Sequence, residues 1–278
     1  MPVVREHDSR AAEFVALLQD PARPPIAARD VAVIVAHPDD ETVGCGALLR
    51  RLKGAVVVIV TDGSPQNLHE AQRHGCSTVP GYAATRTREL KRAMQLAGVS
   101  LHSLVQLNIP DQQAAMRLGE ITRRLLQLFA TRGTRIAITH AYEGGHPDHD
   151  AAAFGVHRAA ARSSNPVTIV EMPFYRAGGN GELRQSFVAW EAGHPVAVAL
   201  NPDERALKQR MRDAYETQKE ALCAFSLESE QFRLAPRYDF SVLPNGGDLL
   251  YEQHNWGMTP AQWLACVRAA LAEEGWQP

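Results

Sequence analysis

The chain has 278 residues, 45% of them hydrophobic and 22% charged, which excludes a disordered, collagen-like or coiled-coil protein. Twenty-nine Lys and Arg face 31 Asp and Glu, a net charge of −2, which excludes the basic footprint of a nucleic-acid binder or a polybasic membrane patch. No apolar run approaches the ~18 residues of a membrane span, and the N-terminus lacks the apolar stretch of a signal peptide. Cys45, Cys76, Cys223 and Cys266 form no CxxC pair. A cytoplasmic protein with reduced, buried thiols is expected.

Residues 1–30 read as an extension. Within it, 9–18 suit a short amphipathic helix, broken by Asp20-Pro-Ala-Arg-Pro-Pro. From Val31 strands and helices alternate. Residues 31–36 are a continuous apolar run, as in a strand buried on both faces. A helix is predicted over 44–53, a strand over 55–60, and a helix over 85–97 that stops at Gly98. A weaker strand at 104–107, a helix at 114–130, a strand at 135–139, a helix at 148–162 and a strand at 167–172 follow. This alternation implies an α/β fold, a mostly parallel sheet with helices on both faces. Residues 31–175 form that core. Residues 176–278 read as a C-terminal cap packed on it. The cap has a long charged helix at 202–225, an irregular stretch at 226–258, and a last helix at 259–274 with Thr259 as N-cap and Pro260 at its first position.

Parallel sheets bind ligands beyond the carboxyl ends of their strands. Two polar clusters fall there. His37-Pro38-Asp39-Asp40-Glu41 follows the first strand. His140-Ala-Tyr142-Glu143-Gly-Gly-His146-Pro147-Asp148-His149-Asp150 follows the fourth. So many ionisable groups at one sheet edge are costly unless they pair or bind a cation. His37, Asp40 and His149 supply two imidazoles and one carboxylate, the ligand pattern of a catalytic zinc site with one open position. Asp39 then remains as a general base beside that site. His146, as its cation, suits polarising a carbonyl or protonating a leaving amine, with Asp148 placed to orient it and keep it protonated. These parts add up to metal-assisted hydrolysis of an acyl bond.

The two motifs resemble those of the PIG-L/LmbE-like de-N-acetylases, and the resemblance runs from about Val31 to Tyr175. It implies a Rossmann-like fold and a zinc-dependent amidase acting on an N-acetylglucosaminyl group. It places the zinc ligands on His37, Asp40 and His149, the base on Asp39, and the assisting pair on His146 and Asp148. It also implies substrate contacts from Arg86 and from Asp111. The mycothiol-type members carry a tyrosine two residues before the second motif; this sequence has Gly144 there, with Tyr142 two residues earlier.

Other positions suit plainer roles. Glu41 suits a structural role at a helix start, His140 and Glu143 a supporting one, and Asp62 a turn cap. Trp190 or Trp256 suits stacking on a sugar, with Trp263 and Trp276 in packing. His69-Glu70-Ala-Gln-Arg-His74 has one residue too many for a zinc-binding HExxH helix. Gly44 and Gly46 suit close helix packing better than a dinucleotide loop. The function expected first is zinc-dependent removal of acetyl from an amino sugar or its conjugate, with ferrous or another divalent ion as the alternative metal. A de-N-acylase of a larger conjugate or antibiotic, an iron oxygenase with a facial triad, and a non-catalytic sugar-binding protein are the competing readings. No nucleic-acid partner is expected, and the cap offers a surface for homo-oligomers.

Overall fold

The computed structural model describes residues 2–179, 181–189, 195–254 and 256–273. Seven strands form the central sheet. In chain order they are β1 (Val31–Val35), β2 (Val56–Pro65), β3 (Leu104–Asp111), β4 (Ile136–His140), β5 (Thr168–Met172), β6 (Val196–Ala199) and β7 (Ser229–Leu234). The principal helices are α1 (Pro2–Gln19), α2 (Asp40–Arg51), α3 (Val79–Ala97), α4 (Leu118–Arg132), α5 (Pro147–Arg162), α6 (Pro202–Asp213) and α7 (Pro260–Glu273). Across the sheet the order is β6-β7-β5-β4-β1-β2-β3. Strands β1 to β5 pair in parallel, and β7 runs antiparallel to both β5 and β6. This is the α/β class that the strand–helix alternation predicts.

Strand β1 is apolar throughout because both its faces are covered. Val31, Val33 and Val35 pack with Leu48, Ile59 and Met94 on one face. Ala32 and Ile34 pack with Val58, Leu125 and Phe154 on the other. Burial of each such large side chain contributes roughly 1.5–3 kcal/mol. After β1 the chain lays β2 and β3 to one side, then crosses to lay β4 and β5 on the other. The loops after β1 and β4 therefore diverge at the switch point and open a crevice there.

Helix α2 begins at Asp40, four residues before its predicted start, because Asp39 serves as N-cap at φ 147° and ψ −26°. The helix is interrupted at Cys45 (φ −148°, ψ 30°). Beyond the break, the Ala47 and Leu48 amides donate to the Glu230 carboxylate of β7 at 2.8 and 3.1 Å. Lys208 Nζ of α6 lies 2.9 Å from Glu230 Oε1, and both residues are buried. Gly44 is a packing glycine as expected, since a Cβ there would lie 2.7 Å from Met172 Sδ.

The segment after residue 175 departs most from expectation. It contributes β6 and β7 to the sheet itself. Strand β7 is hard to read because its buried residues include charged ones: Glu230, and Arg233, whose Nε lies 3.0 Å from Glu171 Oε2. The helix predicted over 202–225 ends at Asp213, and a 3-10 turn (Glu216–Gln218) and a short helix (Lys219–Leu222) follow. The break brings the Tyr215 hydroxyl onto Glu41 Oε1. It also lets Thr217 donate through N and Oγ1 to Glu89, at 2.9 and 2.6 Å. At the other end, α1 sends Phe14 and Leu18 into the core. The four cysteines are free, but only Cys45 is buried and Cys223 is exposed. Among the described residues, no helix is long and apolar enough to cross a membrane.

Candidate active site

The two sequence motifs meet at the crevice. His37 follows β1, Asp40 opens α2, and His149 lies in the first turn of α5. His37 Nδ1 is 3.2 Å from Asp40 Oδ2 and 3.2 Å from His149 Nε2, and these last two are 3.4 Å apart. Donors held at about 2.0–2.1 Å by one tetrahedral ion are separated by about 3.3–3.4 Å, so this triangle fits a divalent cation such as zinc. The electrostatics agree. Burial lowers the pKa of His37, yet Asp111, Asp148 and Asp40 outweigh it and hold the imidazole well above its ordinary range. The surrounding carboxylates thus call for positive charge at this point. Burial and the neighbouring His140 push His149 down to about 3, which keeps it neutral and free to offer a lone pair.

The far side of His37 is also occupied. Its Nε2 lies 3.1 Å from Asp111 Oδ1 and 3.4 Å from Asp148 Oδ2. This corrects the expected pairing of Asp148 with His146. The Asp148 carboxylate is drawn instead to the turn after β3, where it accepts the Gln112 and Ala114 amides at 2.7 and 3.0 Å. His146 Nδ1 accepts the Asp148 amide at 3.1 Å, so a neutral ring carries its proton on Nε2. Burial, His37 and His149 push His146 well below its ordinary pKa. The ring is therefore neutral and not the expected imidazolium.

Asp39 stands outside the triangle. Its Oδ2 accepts Arg86 Nη2 at 2.8 Å, and the same Nη2 donates to the Pro38 carbonyl at 2.8 Å. The Asp39 amide donates to Glu41 Oε2 at 3.0 Å. A non-glycine residue at this positive φ carries strain of order 1–3 kcal/mol, and these contacts hold it there. Burial, reinforced by Asp40 and opposed by Arg86, lifts the Asp39 carboxyl to about 6. Arg86 and Asp111 both line the cleft, as a substrate-binding role requires. Arg86 Nη2 is already engaged with Asp39 and Pro38, and Asp111 Oδ1 with His37, while Arg86 Nε has no hydrogen-bond partner.

The remaining expected residues fall into supporting places. His140 Nε2 accepts the Ala36 amide at 2.9 Å, and its ring stacks on His149 at 4.0 Å. Glu143 Oε1 accepts the Phe174 amide at 2.7 Å. Asp150 Oδ1 accepts the Glu143 and Gly144 amides, each at 3.2 Å, and pins the loop after β4. Asp62 caps a turn through the Ser64 amide. Tyr142 does not line the cleft: its hydroxyl donates to the Val242 carbonyl at 3.1 Å and accepts Trp263 Nε1 at 2.8 Å. His74 stacks on Tyr82 rather than sharing a metal with His69. Trp256 lines the cleft, Trp263 is buried, and Trp190 and Trp276 lie outside the described residues. Sequence reasoning missed Tyr175, although its place just after β5 marks it. It also missed Tyr215, Thr217 and Phe225, which carry no motif.

Fold and site together define a class: an α/β protein with a three-donor site suited to a divalent cation and a separate buried carboxylate at the sheet's switch point. Residues 32–160 match the family model PIG-L, described as GlcNAc-PI de-N-acetylase. The matched segment carries both motifs, from β1 through most of α5. No curated protein matches the sequence. Among solved structures, the zinc-inhibited form of teicoplanin deacetylase Orf2 aligns with a TM-score of 0.57 at 14% identity, over 75% of this chain and 98% of that one. The A40926 pseudoaglycone deacetylase Dbv21 aligns with a TM-score of 0.56 at 16% identity, over 76% and 98%. The N,N'-diacetylchitobiose deacetylase of Pyrococcus horikoshii aligns with a TM-score of 0.56 at 18% identity, over 81% and 89%. At these identities the likeness establishes a shared fold.

Proposed function

We propose that this chain is a zinc-dependent hydrolase that removes the N-acetyl group from an N-acetylglucosamine-type amino sugar or its conjugate. The observation that carries this reading is the donor triangle of His37, Asp40 and His149 with the buried carboxylate of Asp39, held by Arg86, outside it. A divalent cation bound there lowers the pKa of a water toward ~7 and polarises a carbonyl oxygen.

The chain's own residues do the rest. Asp39, with its carboxyl near 6, takes the proton of the attacking water. It returns that proton to the amide nitrogen as the C–N bond breaks. Arg86 aims the carboxylate and keeps it ionised until then. His146 Nε2–H donates to the carbonyl oxygen as it gains negative charge. Asp111 and Asp148 hold His37 by Nε2, which turns the Nδ1 lone pair toward the triangle. One water is consumed, and acetate and a free amine leave. The family model and the deacetylases that share this fold support amide hydrolysis on a sugar conjugate.

The test is acetate release from N-acetylglucosamine compounds by metal-loaded protein, with Asp39→Asn as control. The variant is expected to lose at least ~100-fold in kcat while keeping its metal. Loss of metal in Asp39→Asn would make Asp39 a ligand and overturn its role as base. Higher activity with ferrous ion than with zinc would overturn the choice of metal.

A further inference from the structure

We infer that the cleft selects amino-sugar conjugates with a neutral, apolar aglycone and rejects phosphorylated or carboxylated ones. This deepens the proposed deacetylation and rests on it. The cleft has a volume of about 370 Å³, near the lower end of the roughly 300–1,000 Å³ of ligand pockets. That suits a monosaccharide and the first part of an aglycone.

Its lining combines two chemistries. The α/β core presents the carboxylates of Asp39, Asp40, Glu70 and Asp111. Arg86 is the one Lys or Arg that lines the cleft among the described residues, and it is already bonded to Asp39 and Pro38. In the lining, four carboxylates face one guanidinium, and of the four Glu70 also lies 3.9 Å from Arg73 Nη1. A phosphate or carboxylate on the substrate meets net repulsion, strengthened by the partly dry surroundings.

The same cleft is also lined by aromatic rings. Phe225 and Trp256 lie 6.2 and 6.3 Å, centroid to centroid, from Tyr175. Trp256 in turn lies 4.9 Å from the His146 ring. Tyr175 and Trp256 thus link Phe225 to His146, the residue placed at the carbonyl oxygen. An apolar or aromatic group attached to the sugar is buried along these rings, at a gain of the size that aromatic contacts supply. The same charge pattern suits the products, since carboxylates attract the ammonium group and repel acetate.

The experiment compares 4-nitrophenyl N-acetyl-β-glucosaminide, N-acetylglucosamine and N-acetylglucosamine 6-phosphate as substrates of the metal-loaded full chain. Calorimetric binding of the corresponding three amines is measured beside it. The aryl glycoside is expected to exceed the free sugar by about tenfold in kcat/KM, mostly through KM. The phosphate is expected to fall at least about tenfold below the free sugar. Phe225→Ala should bring the kcat/KM of the aryl glycoside down to that of the free sugar, and Glu70→Lys should narrow the second difference. Phosphate turned over as fast as the free sugar would overturn the selectivity and leave deacetylation standing. Acetate from none of the three would sink the deacetylation instead. The amines then decide the selectivity alone: binding in the order aryl, free, phosphorylated supports it, and any other order overturns it.

Discussion

The two loops that build the site are held by different means. The loop after β4 is tied to the α/β core by its own carboxylates, which accept backbone amides: Asp148 those of Gln112 and Ala114, Asp150 those of Glu143 and Gly144. The loop after β1 is tied by side chains from far along the sequence. Arg86 grips Asp39, and Glu41, which holds the Asp39 amide, is itself bound by Tyr215. Behind them, Glu230 of β7 receives the amides of the broken helix α2. The contrast teaches that the two loops rest on different supports, nearby amides for one and remote side chains for the other. Both also lean on the C-terminal segment, since the Leu250 amide donates to the Gly144 carbonyl at 2.9 Å.

The largest effect that probes this contrast is expected from His149→Ala. It removes one corner of the triangle, so metal content by mass spectrometry should fall to a small fraction and turnover by at least ~10³-fold. A variant that retained a full equivalent of metal would place the cation elsewhere. Next comes Lys208→Met. It leaves Glu230 buried without its cation and should cost about 3–5 kcal/mol in urea unfolding. A loss below about 1 kcal/mol would show that the amides alone suffice for Glu230.

Asp148→Asn should weaken metal binding by about 10–100-fold through the orientation of His37, as read by competition with a chelator. The smallest effect is expected from Tyr215→Phe. It should lower kcat by about tenfold, the equivalent of ~1.4 kcal/mol, with KM and metal affinity unchanged. If Tyr215→Phe released metal as readily as Asp148→Asn, the separation of the two supports would fail.

Much of this arrangement is legible in the sequence, for physical reasons. Strands buried on both faces must be apolar throughout, so 31–36 and 55–60 announce β1 and β2. The motif residues are legible because their loops begin where strands end, at the edge that a parallel sheet reserves for ligands. What stays hidden is partner choice. Asp148 has two imidazoles within reach, and spacing does not reveal that amides 36 and 34 residues earlier draw it to His37. Tyr215 looks like the continuation of a helix, since its partner Glu41 lies 174 residues away. Strand β7 contradicts the apolar rule because Glu230 and Arg233 are buried with partners of opposite charge. Tyr142 shows the same limit: a tyrosine near the right place turned out to anchor Trp263.

The broken end of α6 has a consequence for how the protein is made. A chain is synthesised from its N-terminus and tends to fold in that order. The metal-binding corners His37, Asp40 and His149, with the amides that steady Asp148, all leave the ribosome before Tyr215 and Thr217 exist. The nascent polypeptide therefore holds these residues, with Arg86 on Asp39, before Tyr215 exists to bind Glu41. The stretch through Leu234, which carries Glu230 to the amides of the broken helix α2, is the last of these supports to be synthesised.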